Sequence, residues 1–247
     1  MSGRADQSRN HRGRSGPGKA TATTDSAGVP VNREAARVEI GSGEAEALVE
    51  AELKAFGLSG SPSVRDGLLG YCRLLLRWNE RINLTAARTV TALVQDHLGD
   101  SLAIAVRLAA RTDVGRIIDV GSGGGFPAIP LALLRPASRY TLVEATGKKV
   151  AFLRAAAREL GIDARVEVQH RRVAGTEHPA EFDAATSRAM AAPPVWLALG
   201  QRLVRRGGTV FCLSSERLVH GVPAGLVLVD QAAYREHRWV AELERST

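Results

Sequence analysis

The stretch IIDVGSGGGFPAIPLA, residues 117–132, decides the fold that this chain can adopt. Its apolar start predicts a buried strand, and Gly121, Gly123 and Gly125 after it lack the Cβ atom that would prevent a sharp turn. Pro127 suits the first position of a following helix, whose unpaired amides are expected to face a ligand. Ligands of open α/β sheets bind beyond the carboxyl ends of the strands, so this turn predicts a binding site.

Two classes of nucleotide remain open for this turn. A phosphate-binding loop of the GxxxxGK[ST] type is excluded, because no Lys-Ser or Lys-Thr pair follows the glycines. Residues 123–128 match the GxGxxA pattern of dinucleotide-binding sheets. Read from Gly121, the glycines also have the GxGxG spacing of an S-adenosylmethionine turn, with Asp119 before it. The spacing alone does not separate the two.

Glu144 is the second element of the predicted site. It ends the next apolar run, 23 positions after Gly121 (144 − 121 = 23). A carboxylate at that strand end can accept hydrogen bonds from both hydroxyls of a ribose. Either nucleotide class would use it in this way. The structural alternative is an ordinary acidic residue paired with Lys148 or Lys149.

The composition changes sharply near residue 44. Residues 1–43 contain almost no large apolar side chain, so we expect a disordered basic tail. Residues 44–247 are expected to form a single domain, with a helical part over 44–111 and a ligand-binding sheet over 112–247.

Three helical patterns precede the first predicted strand, over residues 44–58, 61–85 and 89–109. The first is expected to direct Ala47, Leu48, Ala51 and Phe56 towards the core. Beyond residue 115, short apolar runs alternate with helical stretches, which favours a parallel sheet covered on both faces. The predicted strands are 116–120, 139–144, 165–170, 182–187, 209–213, 226–231 and 236–243, with helices over 127–134, 148–160 and 194–204.

A short link joins the last two predicted strands, so they are expected to pair antiparallel. The fold class is therefore α/β: a Rossmann-like sheet of seven mostly parallel strands, ending in an antiparallel hairpin and preceded by helices.

The charge favours an anionic partner. The formal net charge is +7, which suits nucleic acid, although an anionic membrane would satisfy the same arithmetic. The sequence has no apolar run of about 18 residues and no secretory signal, so we expect a cytoplasmic protein without a membrane partner. Cys72 and Cys212 lack metal-ligand spacing and are expected to be buried free thiols, and no metal site is predicted.

Five segments together resemble the glucose-inhibited division protein B family: LLLRWNERINLTA, HLGDSL, IIDVGSGGGFPAIPLA, LVEATGKKVAFL and FDAATSRAMA. The resemblance covers about residues 65–215, in order. It implies a class I methyltransferase that uses S-adenosyl-L-methionine to methylate N7 of a guanine in small-subunit ribosomal RNA. One departure is Ala128, where the family usually has glycine.

The resemblance also implies roles for single residues. Gly121, Gly123, Gly125 and Phe126 are similar to cofactor-contacting positions, and Glu144 to the ribose acceptor. Further cofactor-flanking positions of the family correspond to Val173 and Ala174 in HRRVAG, and to Arg188 in SRA, which positions either cofactor or substrate. His97 and Asp100 match the HLGDSL element, whose role is left open; as neighbours three positions apart on a helix, they are also a routine local pair.

The expected partner is ribosomal RNA or a partly assembled small ribosomal subunit, bound by a monomer. Two other functions stay open: an NAD(P)-dependent oxidoreductase, and a non-catalytic RNA-binding module on the same fold. Guanine N7 carries a free lone pair, so the reaction needs no general base. The basic residues considered for phosphate contact are Arg88, Arg107, Arg111, Lys148, Lys149, Arg154, Arg158, Arg171, Arg172, Arg202, Arg205 and Arg206.

Overall fold

The computed structural model describes residues 41–173, 180–188 and 191–247. The expected tail of residues 1–43 lies almost wholly outside this range. Within it, no helix is both long enough and apolar enough to cross a membrane.

The described helices follow the predicted pattern closely. They are α1 Ser42–Ala55, α2 Pro62–Asn79, α3 Val90–Leu93, α4 Gly99–Ala109, α5 Ala128–Leu134, α6 Gly147–Glu159 and α7 Pro193–Leu203. A π-helical segment, Val94–Leu98, connects α3 to α4. The predicted helix over 89–109 is therefore continuous but contains a wider turn, which its apolar spacing did not indicate.

Seven strands in the described residues form one sheet, as predicted. They are β1 Arg116–Val120, β2 Arg139–Glu144, β3 Val166–His170, β4 Phe182–Thr186, β5 Val204–Ser214, β6 Leu226–Arg235 and β7 Arg238–Arg245. The strand order is β3-β2-β1-β4-β5-β7-β6. The first five strands pair parallel, whereas β7 pairs antiparallel with both β5 and β6. The Rossmann-like prediction is confirmed.

The strand order places the glycine turn at the switch point of the sheet. Strand β1 lies between β2 and β4, and the chain reverses its direction of growth there. Ile117 packs into the core on one face of the sheet and Ile118 into the core on the other. Because both faces are covered, the carboxyl edge of β1 is the place where the fold leaves room for a ligand.

Helix α1 confirms the predicted face only in part: Leu48 and Phe56 pack against the core, where they are partly buried. Ala45, Val49 and Leu53 are buried, whereas Ala47 and Ala51 are exposed. The buried residues follow an i, i+4, i+8 spacing, which alanines elsewhere in the helix obscured. In α2, Leu68, Leu69, Cys72 and Leu75 are buried, and Ser61 caps the helix by accepting the amide of Val64.

The C-terminal hairpin is longer than the apolar runs indicated. Strand β6 continues to Arg235, and β7 begins at Arg238, so Glu236 belongs to the turn and not to a strand. His237 has a φ of 52° in this turn. Hairpin turns with positive φ usually contain Gly or Asn, and Glu-His gives no such signal.

A matched pair of glycines tests the packing of the two helical layers. In α7, a Cβ on Gly200 would lie 2.6 Å from Cγ1 of Val210, whereas in α2 a Cβ on Gly70 would lie 3.7 Å from Leu160. We expect Gly200→Ala to lower the free energy of unfolding by about 1–3 kcal/mol through overpacking. Gly70→Ala should raise it by about 0.5–1 kcal/mol through helix propensity. Denaturant unfolding of both variants measures the difference, and equal shifts would contradict it.

Candidate functional site

The three alternate glycines of the turn adopt a backbone that other residues avoid. Their φ values are 72° at Gly121, 54° at Gly123 and 91° at Gly125. A Cβ on Gly123 would have Gly121 O, 3.7 Å away, as its nearest neighbour. On Gly125 it would lie 2.7 Å from Cγ1 of Ile129 and 3.1 Å from the Tyr71 hydroxyl. Gly123 thus leaves space beside the turn, and Gly125 lets the helix pack closely.

Tyr71 anchors the turn from the helical layer. Its hydroxyl donates to the carbonyl of Gly124 at 2.5 Å, and its ring meets that of Phe126 edge-on, with 5.0 Å between the centroids. The side chain is fully buried. Sequence analysis missed this residue, because a tyrosine in an apolar helical run gives no sign that its hydroxyl reaches a loop 53 positions away.

Glu144 is held at the turn by backbone amides. Its Oε2 accepts from Gly123 N at 2.9 Å and its Oε1 from Thr146 N at 2.8 Å. The exposed fraction of Glu144 is only 7%, and the two amide hydrogen bonds offset the cost of burying its carboxylate. Each carboxylate oxygen has a second lone pair, so the group can still accept two hydroxyl hydrogens. This geometry supports the predicted ribose acceptor better than a lysine pair.

The start of α5 offers less to an anion than expected. The helix begins at Ala128, and the amide of Ile129 already donates to Gly125 O at 2.7 Å. Pro130 has no amide hydrogen. The first turn of this short helix therefore offers fewer free amides to a ligand than the sequence predicts. The methyl group of Ala128, the departure from the family pattern, is buried in the core.

Asp119 lies buried beneath the turn. Its Oδ1 accepts the Thr186 hydroxyl at 2.8 Å, whereas Oδ2 has no hydrogen-bond partner in the described part of the chain. Burial raises the pKa of this carboxyl to about 6, with a smaller contribution in the same direction from Glu144. The site therefore contains two carboxyl groups that a nearby positive charge would stabilise.

These contacts suit one nucleotide class better than the other. A dinucleotide pyrophosphate needs free amides at the turn and helix start, but Gly123 N and Ile129 N already bind protein oxygens. It would also place negative charge near Asp119 and Glu144. A nucleoside with a sulfonium group needs a ribose acceptor and tolerates carboxylates. The residues present fit S-adenosylmethionine.

Arg188 follows β4 at the same edge of the sheet. Its Nη1 donates to Nδ1 of His97 at 2.7 Å and lies 3.5 Å from Oδ2 of Asp100. The guanidinium carbon stands 5.3 Å from the ring centroid of Phe126. The structure thus brings together four residues that sequence analysis had named separately. His97 and Asp100 both contact Arg188, so they meet through this arginine and do not act as a simple local pair on one helix.

Phe126 is more enclosed than its predicted role suggests. The ring lies among Tyr71, His97 and Arg188, with its exposed fraction at 2%. The Phe126 ring therefore packs beneath the Arg188 guanidinium. A contact between this ring and the cofactor stays a prediction. Val173 is partly buried against the second core face, and Ala174 lies outside the described residues.

The remaining expectations concern metal and thiols. Among the described residues, no group of three or more His, Cys, Asp or Glu side chains could hold a metal ion. Cys72 and Cys212 are both buried and free, as predicted, and burial raises the pKa of Cys212 to about 11.

Residues 65–222 match the family GidB, described as rRNA small subunit methyltransferase G. Curated relatives named "Ribosomal RNA small subunit methyltransferase G" include one from Xanthomonas oryzae pv. oryzae, 41% identical over 59% of this chain and 66% of that protein. Another, from Anaeromyxobacter dehalogenans, is 36% identical over 74% of this chain and 86% of that protein. A third, from Halorhodospira halophila, is 39% identical over 69% and 78%. The resemblance inferred from the five segments is confirmed.

Solved structures give the same fold. A Klebsiella pneumoniae structure described as an O-methyltransferase aligns with a TM-score of 0.52 over 83% of this chain and 99% of that chain. At 19% identity the likeness concerns the fold alone.

Removal of the Tyr71 hydroxyl tests the anchor of the turn. We expect Tyr71→Phe to lower the free energy of unfolding by about 1–3 kcal/mol, because the buried Gly124 carbonyl loses its donor. Tyr140→Phe is the matched control: its hydroxyl donates to Leu131 O, which also accepts the amide of Arg135. That variant should lose less, about 0.5–1.5 kcal/mol. Denaturant unfolding and amide hydrogen exchange at residues 121–125 provide the measurements. An equal loss with unchanged exchange at the turn would refute the anchor.

Proposed function

The chain belongs to the rRNA small subunit methyltransferase G family, and on that premise we propose that it transfers a methyl group from S-adenosyl-L-methionine to N7 of a guanine in small-subunit ribosomal RNA. The observation that carries the proposal is that the matched range, 65–222, contains the glycine turn, Glu144 and Arg188 together. The guanine and its N7 atom come from the family resemblance.

S-adenosyl-L-methionine supplies a methyl group activated by a positively charged sulfur. In this chain Glu144 would hold the ribose hydroxyls, and the space beside Gly123 would admit the nucleoside. Asp119, whose Oδ2 has no partner in the described part of the chain, adds negative potential beneath the turn. The contacts of Gly121, Gly125, Val173 and Ala174 with the cofactor stay predictions that rest on the family resemblance.

The protein does not have to move a proton before the transfer. Guanine N7 has an available lone pair at neutral pH, so alignment of the reacting atoms and exclusion of water are the remaining tasks. Arg188 stands at the carboxyl end of β4, fixed over Phe126, where it can bind an oxygen of the substrate or cofactor. A fixed polar group in that position needs no reorganisation as charge shifts during the reaction.

The arginines at the amino edge of the sheet are neutralised by acidic partners. Arg111 pairs with Asp113 and Glu242, and Arg205 pairs with Asp183 at 2.6 Å. Among the other candidates for phosphate contact, Arg107 pairs with Asp230 and Arg154 donates to a strand carbonyl. Such contacts are structural, so these arginines are poor candidates for RNA contact.

The carboxyl edge carries a second set of basic residues close to the turn. Lys148 in the first turn of α6 and Arg172 after β3 are both exposed. Arg88 is also exposed and donates hydrogen bonds to backbone carbonyls. RNA phosphates are the matching partner for this edge. The N7 edge of guanine is hidden in the narrow major groove of an RNA helix, so we infer a target in a loop or a partly assembled subunit. Such a partner agrees with the cytoplasmic location and the monomer expected from the sequence.

The two alternatives differ from this proposal in measurable ways. An NAD(P)-dependent oxidoreductase would be stabilised against heat by NAD and not by S-adenosylhomocysteine, and the amides already engaged at the turn speak against it. A non-catalytic RNA-binding module would bind RNA without incorporating label from a methyl-labelled cofactor.

The ends of α6 provide a matched test of RNA contact. Lys148 lies at the carboxyl edge of the sheet, and Arg158 lies at the other end of the same helix, about 15 Å away by helix rise. We expect Lys148→Ala to reduce the slope of log affinity against log salt by about one, with Arg158→Ala leaving it unchanged. Binding of small-subunit RNA over a salt series measures both slopes. Equal slopes for the two variants would contradict the assignment of this edge.

Depletion of the protein tests the function, and variants of Glu144 test the cofactor site. Depletion should abolish N7-methylguanine at one position of small-subunit ribosomal RNA, and the wild-type chain should restore it. Glu144→Ala should weaken cofactor binding by about 10-fold or more, as expected when a charged acceptor of hydrogen bonds is lost. Glu144→Gln should also fail, because both carboxylate oxygens accept amides and an NH₂ group would face one of them.

Glu159→Ala is the control for lost negative charge, since Glu159 pairs with Arg77 at an exposed end of α6. Calorimetric titration with S-adenosylhomocysteine separates binding from transfer. Unchanged affinity in Glu144→Ala rejects the ribose role, and intact N7-methylguanine after depletion rejects the function.

A further inference from the structure

The π-helical segment brings one histidine to the site. Residues 90–109 are otherwise α-helical, and the wider turn at Val94–Leu98 contains His97. Its ring lies 5.5 Å from that of Phe126, centroid to centroid, and contacts Arg188 across 91 positions of sequence. Single π turns inside α-helices occur frequently at functional sites. Here the turn places an imidazole between the helical layer and the sheet edge.

The hydrogen bonds of His97 fix its protonation state. An arginine can only donate, so Nδ1 of His97 must accept from Arg188 Nη1 and carries no proton. A neutral ring then has its proton on Nε2, which donates to Oγ1 of Thr85 at 2.8 Å. The same Oγ1 accepts the amide of Ala87 at 3.1 Å, which uses its second lone pair. The protein therefore selects one tautomer of a neutral imidazole.

Asp100 is the other acceptor near Arg188, and it is less well placed. Its Oδ1 is occupied by the Tyr234 hydroxyl at 2.7 Å and by Arg238 at 2.8 Å, both from the C-terminal hairpin. Its Oδ2 lies 3.5 Å from Arg188 Nη1, compared with 2.7 Å for Nδ1 of His97. Hydrogen bonds weaken with this difference in length, so the imidazole is the closer partner and the carboxylate mainly balances charge.

We propose that His97 is a positioning residue for methyl transfer: as a neutral acceptor it holds the Arg188 guanidinium over the ring of Phe126, with the other guanidinium nitrogens directed to substrate or cofactor. This inference rests on the proposed function. The Thr85 hydroxyl supports the histidine by accepting from Nε2.

The arrangement predicts a loss of activity in acid. Protonation of Nδ1 removes the acceptor and places a positive charge against Arg188. Burial of the ring, followed by the charge of Arg188 and of the more distant Arg238, lowers the pKa of His97 below its usual value, although Asp100 and Asp96 oppose the shift. The histidine therefore stays neutral at neutral pH, and activity falls only as the pH drops below the ordinary histidine range. Asp119, with its pKa of about 6, also titrates there, so variants must separate the two.

Two substitutions of His97 distinguish positioning from packing. The amide oxygen of His97→Asn can take the place of Nδ1 as an acceptor, whereas His97→Leu fills space without one. We expect His97→Leu to lower kcat at saturating cofactor by about 10- to 100-fold, as a displaced reacting group would. His97→Asn should recover much of this loss, and its remaining fall in acid should be that of Asp119 alone. His237→Asn, at the exposed hairpin turn, is the control and should leave kcat unchanged, because asparagine also tolerates the positive φ of this position.

Nitrogen NMR of the full chain provides a readout that does not depend on activity. In ¹⁵N-histidine-labelled protein at neutral pH, the resonance that disappears in His97→Asn should show an unprotonated Nδ1 and a protonated Nε2. Thr85→Val removes the acceptor of Nε2 and should still leave Nδ1 unprotonated, because Arg188 continues to donate to it. Rotation of the Arg188 Nη groups should be slow in the wild type and in His97→Asn, and fast in His97→Leu.

A protonated Nδ1 at neutral pH, or slow Arg188 rotation with unchanged kcat in His97→Leu, would overturn the proposal. If the wild type transfers no methyl group to ribosomal RNA, the proposed function fails, and the tautomer and rotation measurements still decide whether His97 holds Arg188. If His97→Leu does not fold, the wild-type tautomer and the Thr85→Val and His97→Asn variants decide the question.

Discussion

The hydrogen bond from Gly123 N to the Glu144 carboxylate is the constraint on which the site depends. It joins the loop after β1 to the end of β2, two segments that parallel pairing has already brought side by side. A carboxylate buried without such donors would favour its neutral form and would lose much of its strength as an acceptor. The backbone at Gly123 has a positive φ when it makes this bond, a conformation that glycine adopts more readily than other residues. The need for this conformation, and not a need for flexibility, explains the glycine at this position.

Charge in the site is arranged in two layers. Asp119 and Glu144 lie on the side of the glycine turn, and Arg188 lies across Phe126 on the side of β4. The arginine is held by a neutral imidazole at short distance and by a carboxylate that Tyr234 and Arg238 share. A full ion pair at that distance would neutralise Arg188 more strongly. The neutral partner orients the cation and leaves its charge for an incoming anionic or carbonyl group.

The two edges of the sheet are used differently. At the amino edge, arginines are matched by carboxylates on neighbouring strands, so they stabilise the strand starts. At the carboxyl edge, exposed basic residues follow β3 and lie in the first turn of α6. The net charge of +7 therefore does not translate directly into RNA-binding charge, because some of the arginines form ion pairs that stabilise the fold. A count of charges indicates an anionic partner but does not say which edge meets it.

Local sequence determined the alternation of strands and helices, the terminal hairpin, the glycine turn and the acid at the end of β2, because each depends on neighbouring residues or on spacing along one strand. The burial of Ala47 and Ala51 in α1 and the bounds of the hairpin were mispredicted, since alanines and a Glu-His turn give weak local signals. Tertiary structure alone decided the cluster around Arg188, to which Tyr71, Thr85, Tyr234 and Arg238 contribute. The hydrogen bonds of His97 and Asp100 with Arg188, Tyr234 and Arg238 span 88 to 138 positions, and the Asp100 carboxylate connects the hairpin tip to the site. No periodicity encodes such contacts, because they form only where the packed sheet brings distant side chains within hydrogen-bonding distance.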